Sequence, residues 1–378
     1  MPYAYKNKYV AFAATIIDFV GFLLFYKKNI DIDKKLVKKI VVVKLDHLGD
    51  CFLCTPLFNY LKNNFTGCSI DILCMDSSKK IFEGNPNISN ILTFNYWKNF
   101  RGGKNKAGFK DFLKVARVLR KNKYDLFIDA RGQSIAGLLA FMSKSKYKVG
   151  FKNEEWGSFF YTKSTFYNRN EHETKRYKKL LGLLNISTDN WNLKIYPSNN
   201  EITKIDKLIN EKIHRPILVI SPGAGANYKI WPIENYIFLA NKIDVNNIYD
   251  IVLLGGVEDI GLCTKIQKNV KNSVNLSGQL SVKESYYLLS KSAFWIGNDS
   301  FLAHVAGSFN INIIELMNGV VDKNRWAALG KNTTVVVGES RNHLCYYEGC
   351  KFPCPNMESI SVSTIYEIFW QKIQKNNN

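Results

Sequence analysis

Residues 41–61 read VVVKLDHLGDCFLCTPLFNYL, in which a short apolar run passes through a glycine turn into a segment with helical spacing. The run Ile40–Leu45 predicts a buried strand, and Cys51–Asn64 predicts the helix that follows it. Gly49 permits the tight turn between them. A strand that turns directly into a helix begins a βαβ unit, so this stretch predicts an α/β fold with a parallel sheet.

The same alternation of β-branched runs and amphipathic segments continues along the chain in two series. In the first series the further predicted strands are Ser69–Met75, Asn90–Phe94 and Tyr124–Asp129, and the predicted helices are Phe109–Lys121 and Glu171–Leu184. In the second series the predicted strands are Ile217–Ser221, Asp250–Leu254, Val274–Leu276, Ala293–Gly297 and Asn312–Leu316, and the last predicted helix is Val362–Lys375. The polar stretch Asn185–Asn200 predicts the linker between the two series.

The pattern therefore predicts two Rossmann-like, doubly wound domains, at 39–190 and 200–358, which face each other across a cleft. We expect the helix in 359–378 to pack back on the first domain. The basic, aromatic stretch Asn95–Lys110 predicts a loop, which either touches an acceptor or membrane or is only solvated.

Composition narrows the class of protein. The chain has 378 residues, of which 46% are hydrophobic and 22% charged, as in globular proteins with a sizeable core. Its net charge of +20 favours anionic partners, although a surplus of surface lysines would give the same value. The basic residues are dispersed and match no nucleic-acid-binding signature, so no nucleic-acid partner is predicted. Five of the eight cysteines lie in or beside apolar runs, which favours a reducing, cytoplasmic location.

An N-terminal extension, 1–38, contains the apolar stretch Tyr9–Tyr26, which is interrupted by Asp18 and bracketed by lysines. It is marginal for a membrane span because a carboxylate lies near its middle. A helix lying on the membrane surface is the favoured interpretation. Docking on the protein's own body and a true span are the alternatives.

The end of the first strand carries two carboxylates, Asp46 and Asp50, with His47 and Gly49 between them. Ligands of open α/β sheets bind at this edge, so these are acceptor-side candidates. Asp50 could act as a general base toward a sugar hydroxyl, or it could only cap the following helix. From the residues alone capping is favoured, and Asp46, His47 and Asp129 are rival bases.

A second group of candidates follows the strands of the second series. Ser221 and Gly223 belong to a small-residue loop that lets backbone approach an anion, and Lys229 supplies a point charge. Glu258 follows a strand and a glycine turn, where it could bind ribose hydroxyls or serve only as a first-turn acid.

The stretch from Asp299 through Ser300 to His304 begins a helix after a buried strand, and these side chains could hold a diphosphate. A hydrolase triad is disfavoured because Ser300 lacks the nucleophile-elbow glycines. Packed thiols are the default for Cys345, Cys350 and Cys354, with a metal site that includes His343 as the alternative. No metal or other cofactor is predicted.

Four motifs in order give a family resemblance: residues 41–61, SPGAGANYKIWP (221–232), LLGGVED (253–259) and NLSGQLSVKESYYLLSKSAFWIGNDSFLAHVAGS (275–308). Together they resemble glycosyltransferase family 9, the bacterial heptosyltransferases of lipopolysaccharide core synthesis. The resemblance implies a GT-B architecture, a donor in the C-terminal domain, inversion at the anomeric carbon and no required metal.

The resemblance also implies roles for individual residues. Asp50 is implied to be the catalytic base, and Lys229 to contact the donor phosphates or assist the leaving group. Glu258 would hold the ribose. The diphosphate and sugar would be lined by Asp299, Ser300 and His304.

The resemblance implies that the protein transfers a sugar, with heptose as the favoured one, from a nucleoside-diphosphate donor, with ADP as the favoured nucleotide. The expected acceptor is an anionic glycan of the lipopolysaccharide type or another glycan. The expected membrane contact is peripheral, at the cytoplasmic face of the inner membrane. The alternatives are a GT-B transferase for another nucleotide sugar and a non-catalytic basic relative that binds membrane or glycan. Phe301, where the family usually has glycine, is the residue that suggests the non-catalytic alternative.

Overall fold

The computed structural model describes residues 8–25, 30–95, 108–152, 155–341 and 353–376. The chain divides into two compact units, one ending at Tyr196 and the other beginning at Pro197. The segment that leads to this boundary packs on the first unit, where Ile195 is buried and the indole N–H of Trp191 donates to the carbonyl of Leu53 at 2.9 Å.

The first unit is built on one sheet of six parallel strands. In chain order they are β1 (Lys39–Lys44), β2 (Ser69–Cys74), β3 (Asn90–Thr93), β4 (Leu126–Asp129), β5 (Tyr147–Lys152) and β6 (Lys163–Phe166). Their order across the sheet is β3-β2-β1-β4-β5-β6. The helices of this unit are α1 (Lys8–Phe25), α2 (Leu48–Leu53), α3 (Pro56–Asn64), α4 (Lys79–Phe82), α5 (Phe109–Asn122), α6 (Ser134–Ser143) and α7 (Glu173–Leu183).

The second unit repeats the same plan. Its strands are β7 (Ile217–Ser221), β8 (Asp250–Leu253), β9 (Ser273–Asn275), β10 (Phe294–Asn298), β11 (Asn312–Met317) and β12 (Thr333–Val337). They pair in the order β12-β11-β10-β7-β8-β9. The helices are α8 (Asn199–Lys212), α9 (Ile233–Asp244), α10 (Ile260–Asn269), α11 (Val282–Ser290), α12 (Phe301–Gly307), α13 (Lys323–Trp326), α14 (Pro355–Glu358) and α15 (Val362–Asn376).

Both sheets reverse their winding beside their first strand. β1 pairs in parallel with β2 on one side and β4 on the other, and β7 pairs in the same way with β8 and β10. Chain connections therefore leave the two neighbouring strands in opposite directions and open a crevice at the carboxyl ends. The predicted α/β fold with two doubly wound halves is confirmed, and each half has one such switch point.

Central position explains the apolar runs that predicted these strands. The side chains of Ile40–Val43 in β1 and of Leu218–Ile220 in β7 are fully buried. A strand buried on both faces needs apolar residues at successive positions rather than at alternate ones.

The predicted helix Cys51–Asn64 is wrong in one respect, because the structure divides it into α2 and α3. Pro56 is the first residue of α3 and has no N–H to donate to the carbonyl of Phe52. The backbone N–H and the hydroxyl of Thr55 donate to that carbonyl instead, at 3.0 and 2.8 Å.

The expectation that the C-terminal helix packs on the first domain is also wrong. Ile365 and Phe369 of α15 are buried in the core of the second unit, and the ring of Phe369 lies 4.9 Å from that of Phe294 in β10. The indole N–H of Trp231 donates to the carbonyl of Ile360, just before α15, at 3.0 Å. Because α15 has its apolar face in this core, it is part of the second unit.

No element was predicted at the strands β5, β6 and β12, or at several of the helices, among them α6 and α8. Of the stretch Asn95–Lys110, residues 96–107 lie outside the described residues.

The N-terminal helix α1 docks on the first unit. Asp18 is buried, and its Oδ1 accepts a hydrogen bond from the N–H of Gly157 at 2.8 Å. Within the described residues no helix is both long and apolar enough to cross a membrane. Of the three alternatives for this segment, the structure shows docking on the protein body through one face of the helix.

We expect Phe369→Ala to destabilise the second unit by about 3–5 kcal/mol, because it removes a buried aromatic ring and leaves a cavity. Chemical denaturation followed by circular dichroism measures the change. Phe238→Ala is the matched control, since Phe238 in α9 is 64% exposed, and its effect should stay within about 0.5 kcal/mol. Equal effects for the two substitutions would contradict the burial of α15.

Candidate active site

The switch point of the first unit holds a buried cluster of charges at the end of β1. Lys44 and Asp46 are almost completely buried, and Lys44 Nζ lies 2.9 Å from Asp46 Oδ2. Arg131, two residues after β4, pairs with the same Asp46 oxygen. β1 and β4 are neighbours in the sheet, so their ends bring the three side chains together.

Asp50 lies in the first turn of α2, next to this cluster. Its Oδ1 is buried and has no hydrogen-bond partner in the part of the chain that the structure describes. The hydroxyl of Tyr177 in α7 donates to the backbone carbonyl of Asp50 at 3.1 Å, which fixes this turn against the body of the unit. The interpretation of Asp50 as a helix cap is wrong, because the N-cap of α2 is His47 and Asp50 stands three residues later.

The environments of the two carboxyls separate their pKa values. Burial opposes ionisation of Asp46, but Arg131 and Lys44 outweigh it and hold the pKa of Asp46 well below its usual range. Burial, together with the negative charge of Asp46, raises the pKa of Asp50 to about 6. A carboxyl with a free oxygen and a pKa near 6 is suited to accept a proton at neutral pH.

The rival bases are placed less favourably. His47 is exposed on the surface. Asp129 is fully buried, and it accepts the backbone N–H groups of Arg131 and Gly132 at 2.8 and 2.9 Å as well as the hydroxyl of Tyr161. Because its oxygens shape the turn that carries Arg131, Asp129 has a structural role. Gly49, within α2, is partly exposed.

Sequence reasoning missed Lys44, Arg131 and the pair of Glu173 with Arg176. Arg176 is buried, pairs with Glu173, and donates to the carbonyl of Arg131. A lysine inside an otherwise apolar strand and an arginine just after a predicted strand were the available signals.

The switch point of the second unit is formed by the ends of β7 and β10. Lys229, in the short 3-10 turn after the small-residue loop, pairs with Asp299 after β10, with Nζ and Oδ2 2.6 Å apart. The structure thus brings together two residues that the sequence assigned to the donor, 70 positions apart.

Two further oxygens at this switch point are buried without a hydrogen-bond partner among the described residues, Ser300 Oγ and Glu315 Oε1. Ser300 is the N-cap of α12 but its side chain makes no capping bond. Glu315 in β11 was missed because it lies in an apolar run, and burial together with Asp299 raises its pKa to about 8. Unpaired buried oxygens are costly, which makes this edge of the sheet a candidate binding site. His304, one turn further along α12, is also buried.

Asn298, which the sequence analysis overlooked, ties the loop to the sheet. Its Oδ1 accepts the backbone N–H of Trp231 at 3.1 Å and the hydroxyl of Tyr236 at 3.0 Å, and its Nδ2 donates to the carbonyl of Pro222 at 2.7 Å. These bonds hold both ends of the loop that leads to Lys229.

The remaining donor candidates have other neighbours. Ser221 is buried, and its Oγ accepts the indole N–H of Trp295 at 3.0 Å. A Cβ on Gly223 would lie 2.1 Å from Asp259 Oδ1, so the glycine makes room for that carboxylate. Glu258 is exposed in the short turn after β8.

Of the three C-terminal cysteines considered as packed thiols or metal ligands, the structure describes one. Cys354 is buried and accepts a hydrogen bond from Asn318 Nδ2 at 3.4 Å, whereas His343, Cys345 and Cys350 lie outside the described residues. Among the residues described, no group of three or more metal-ligating side chains occurs.

The sequence also matches known proteins over most of its length. The model of glycosyltransferase family 9 (heptosyltransferase) matches residues 112–355. The chain is 24% identical to lipopolysaccharide heptosyltransferase 3 from Escherichia coli over 294 residues, which cover 75% of this chain and 84% of that protein. It is 22% identical to lipooligosaccharide heptosyltransferase 2 from Haemophilus ducreyi over 289 residues, with coverage of 72% and 80%.

Solved structures show the same architecture. The glycosyl transferase family 9 protein from Veillonella parvula gives a TM-score of 0.77 at 18% identity and covers 92% of this chain and 100% of that one. The E. coli heptosyltransferase WaaC, solved with ADP-2-deoxy-2-fluoro heptose, gives a TM-score of 0.67 at 17% identity, with coverage of 88% and 99%. These likenesses confirm the predicted GT-B fold.

We expect the Asp50 carboxyl to titrate near pH 6 and Asp46→Asn to lower that pKa. The substitution removes a like charge and leaves Lys44 and Arg131 to act on Asp50 alone. Carbon-13 NMR of aspartate-labelled protein measures the titration, with the signal assigned by its loss in Asp50→Asn. Asp189→Asn, an exposed site in the same unit, should change nothing. A rise in the pKa of Asp50 in Asp46→Asn would contradict the coupling.

Proposed function

Because the chain belongs to glycosyltransferase family 9 (heptosyltransferase), and is thus a glycosyltransferase enzyme, we propose that it transfers heptose from ADP-heptose to a lipopolysaccharide-type glycan, with inversion at the anomeric carbon. The proposal rests on the pair of Lys229 with Asp299, beside the hydroxyl of Ser300, which has no hydrogen-bond partner among the described residues. This pair lies at the switch point where open α/β sheets bind nucleotides. A solved relative with an ADP-heptose analogue supports the choice of donor.

Lys229 is the residue proposed to meet the donor diphosphate. Its ammonium is partly exposed and now neutralises Asp299, so a diphosphate at this edge would compete for the same cation. Without Lys229 the diphosphate would face the carboxyls of Asp299 and Glu315. The Ser300 hydroxyl is placed to donate to a phosphate or sugar oxygen.

The proposed reaction is a single displacement. Asp50 takes the proton from an acceptor hydroxyl as the oxygen attacks the anomeric carbon, and the bond from that carbon to the diphosphate oxygen breaks. The electron pair leaves with the nucleoside diphosphate, whose developing negative charge is met by Lys229. A side chain supplies this charge, so no metal ion takes part in the proposed reaction.

The proposed domain roles follow from these residues, with the acceptor on the first unit and the donor on the second. We take Glu258, in the short turn after β8, as the partner of the ribose, and His304 as part of the sugar site. The net charge of +20 and the part-exposed Arg131 support an anionic, lipid-linked acceptor. The proposed location is the cytoplasmic face of the inner membrane.

We expect isothermal titration calorimetry to show selective binding of ADP over UDP and GDP. Lys229→Ala should weaken ADP binding by roughly 10- to 100-fold, the effect of losing about 1.4–2.8 kcal/mol of charge-assisted hydrogen bonding. Lys268→Ala, which removes an exposed lysine from the same unit, is the matched control and should bind normally. Binding of no nucleotide would favour the non-catalytic alternative, and selective binding of UDP or GDP would favour another nucleotide sugar.

We expect Asp50→Asn to lower kcat by roughly 10²- to 10⁴-fold with ADP affinity unchanged, because the amide cannot accept the proton. Transfer from ADP-heptose to a heptose-deficient lipopolysaccharide acceptor is the assay, and calorimetry with ADP monitors the donor site. Asp189→Asn controls for loss of a carboxylate in the same unit. Full activity in Asp50→Asn would refute the assignment of the base.

A further inference from the structure

Helix α1 sits on the first unit through a defined inner face. The buried carboxylate of Asp18 accepts the N–H of Gly157, which is a strongly directional contact for a helix that is otherwise apolar. Any Cβ on Gly21 would lie 2.4 Å from the ring of Phe159, so the glycine allows the helix to approach the turn that contains this ring. Ala11 and Ala14 are buried on the same side. The single acidic residue of the helix is therefore used to hold it against the protein.

Aromatic rings pack the C-terminal end of α1 against the first unit. Phe25 lies 5.6 Å from Phe141, 5.9 Å from Phe159 and 5.6 Å from Phe160 between ring centroids. Phe22 meets Phe159 edge to face at 6.3 Å. These contacts fix the rotation of α1 about its own axis and so determine which residues face outward.

The outer face of α1 is a continuous apolar stripe. Its residues recur at intervals of three and four, which places them on one side of a helix. They are 49–85% exposed, and they are Tyr9, Phe12, Ile16, Phe19 and Leu23. Leu24, 71% exposed, lies beside the stripe, and Phe141, 47% exposed, extends the apolar surface from Phe25 onto the body of the unit. Large contiguous apolar surfaces of this kind mark interaction sites.

Charge identifies the occupant. In the sequence, Lys6 and Lys8 precede the stripe and Lys27 and Lys28 follow it, and the whole chain carries a net charge of +20. An apolar stripe bracketed by lysines matches a bilayer with anionic head groups, where acyl chains take the apolar side chains and phosphates attract the ammonium groups. A second copy of this chain would instead bring like charges together at both ends.

We propose that α1 lies in the plane of an anionic membrane surface, with the outer stripe inserted at the boundary between head groups and acyl chains and Asp18 turned toward the protein. Membrane binding through α1 would be independent of the identity of the donor and the acceptor. The proposal gives the first unit, which also carries Asp50, a lipid-facing surface.

Vesicle co-sedimentation of the full-length protein tests the proposal without nucleotide or sugar. We expect binding to phosphatidylcholine vesicles that contain about 30 mol% phosphatidylglycerol, and weaker binding to phosphatidylcholine alone or in high salt. The double substitution Phe12→Glu with Leu23→Glu should reduce binding at least about tenfold, since it places two carboxylates in the stripe. Phe238→Glu, on an exposed phenylalanine of the second unit, is the matched control and should bind like the wild type.

Circular dichroism and thermal unfolding show whether the double variant keeps its fold, and the outward position of both residues predicts that it does. Equal binding by the double variant and the control, or no binding by the wild type, would overturn the proposal. Light scattering supplies a second criterion. A wild-type dimer that becomes monomeric in the double variant, without vesicle binding, would assign the stripe to contact between copies instead.

Discussion

The parallel pairing of each central strand with two neighbours is the constraint on which both sites depend. β1 between β2 and β4, and β7 between β8 and β10, are buried on both faces and fix the carboxyl ends of four strands at two switch points. The connections that leave these ends diverge, so polar side chains can gather there without breaking the core. Lys44, Asp46 and Arg131 meet at one switch point, and Lys229 and Asp299 at the other. The polar side chains of both clusters therefore lie at or just beyond the ends of these strands, while β1 and β7 are apolar over most of their length.

At each switch point one carboxyl takes the direct contacts with the cationic side chains, and a second, neighbouring carboxyl is left without an ion pair among the described residues. In the first unit Asp46 takes the direct contacts with Lys44 and Arg131, so Asp50 is left with burial and a like charge, which together raise its pKa. In the second unit Asp299 takes Lys229 and leaves Glu315 in the same position. Burying such groups carries a desolvation cost that apolar residues would avoid. A reaction that needs Asp50 as a proton acceptor and Lys229 as a cation able to change partners would account for this cost.

How far the sequence predicted this arrangement depends on whether the signal was local. The strands β1, β4, β7 and β10 were predicted because full burial gives them unbroken apolar runs, and Asp50, Lys229 and Asp299 became candidates because they follow such runs. The role of Asp50 as a base came from the family resemblance, since its position alone favoured a helix cap. β6 is polar and half exposed, so it left no periodic signal. Arg131 was not recognised as a partner of Asp46 because their contact depends on the pairing of β1 with β4, across 85 residues of chain. The break at Pro56 was readable from the sequence but was outweighed by the helical spacing around it.

Helix α1 shows why composition alone left three alternatives for the N-terminal stretch. A carboxylate in an apolar segment disfavours a membrane span, yet its effect depends on which way it points, and that is decided by the N–H of Gly157, far away in the sequence. With Asp18 turned inward, the small residues and aromatic rings on that side are satisfied by the protein, while the opposite side keeps its large apolar residues in contact with solvent. A helix that only covered the protein would gain from polar residues on that outer side. Both faces of α1 are instead apolar, and packing on the first unit buries only one of them. The other face is therefore suited to contact the acyl chains of a membrane while the first stays packed on the protein.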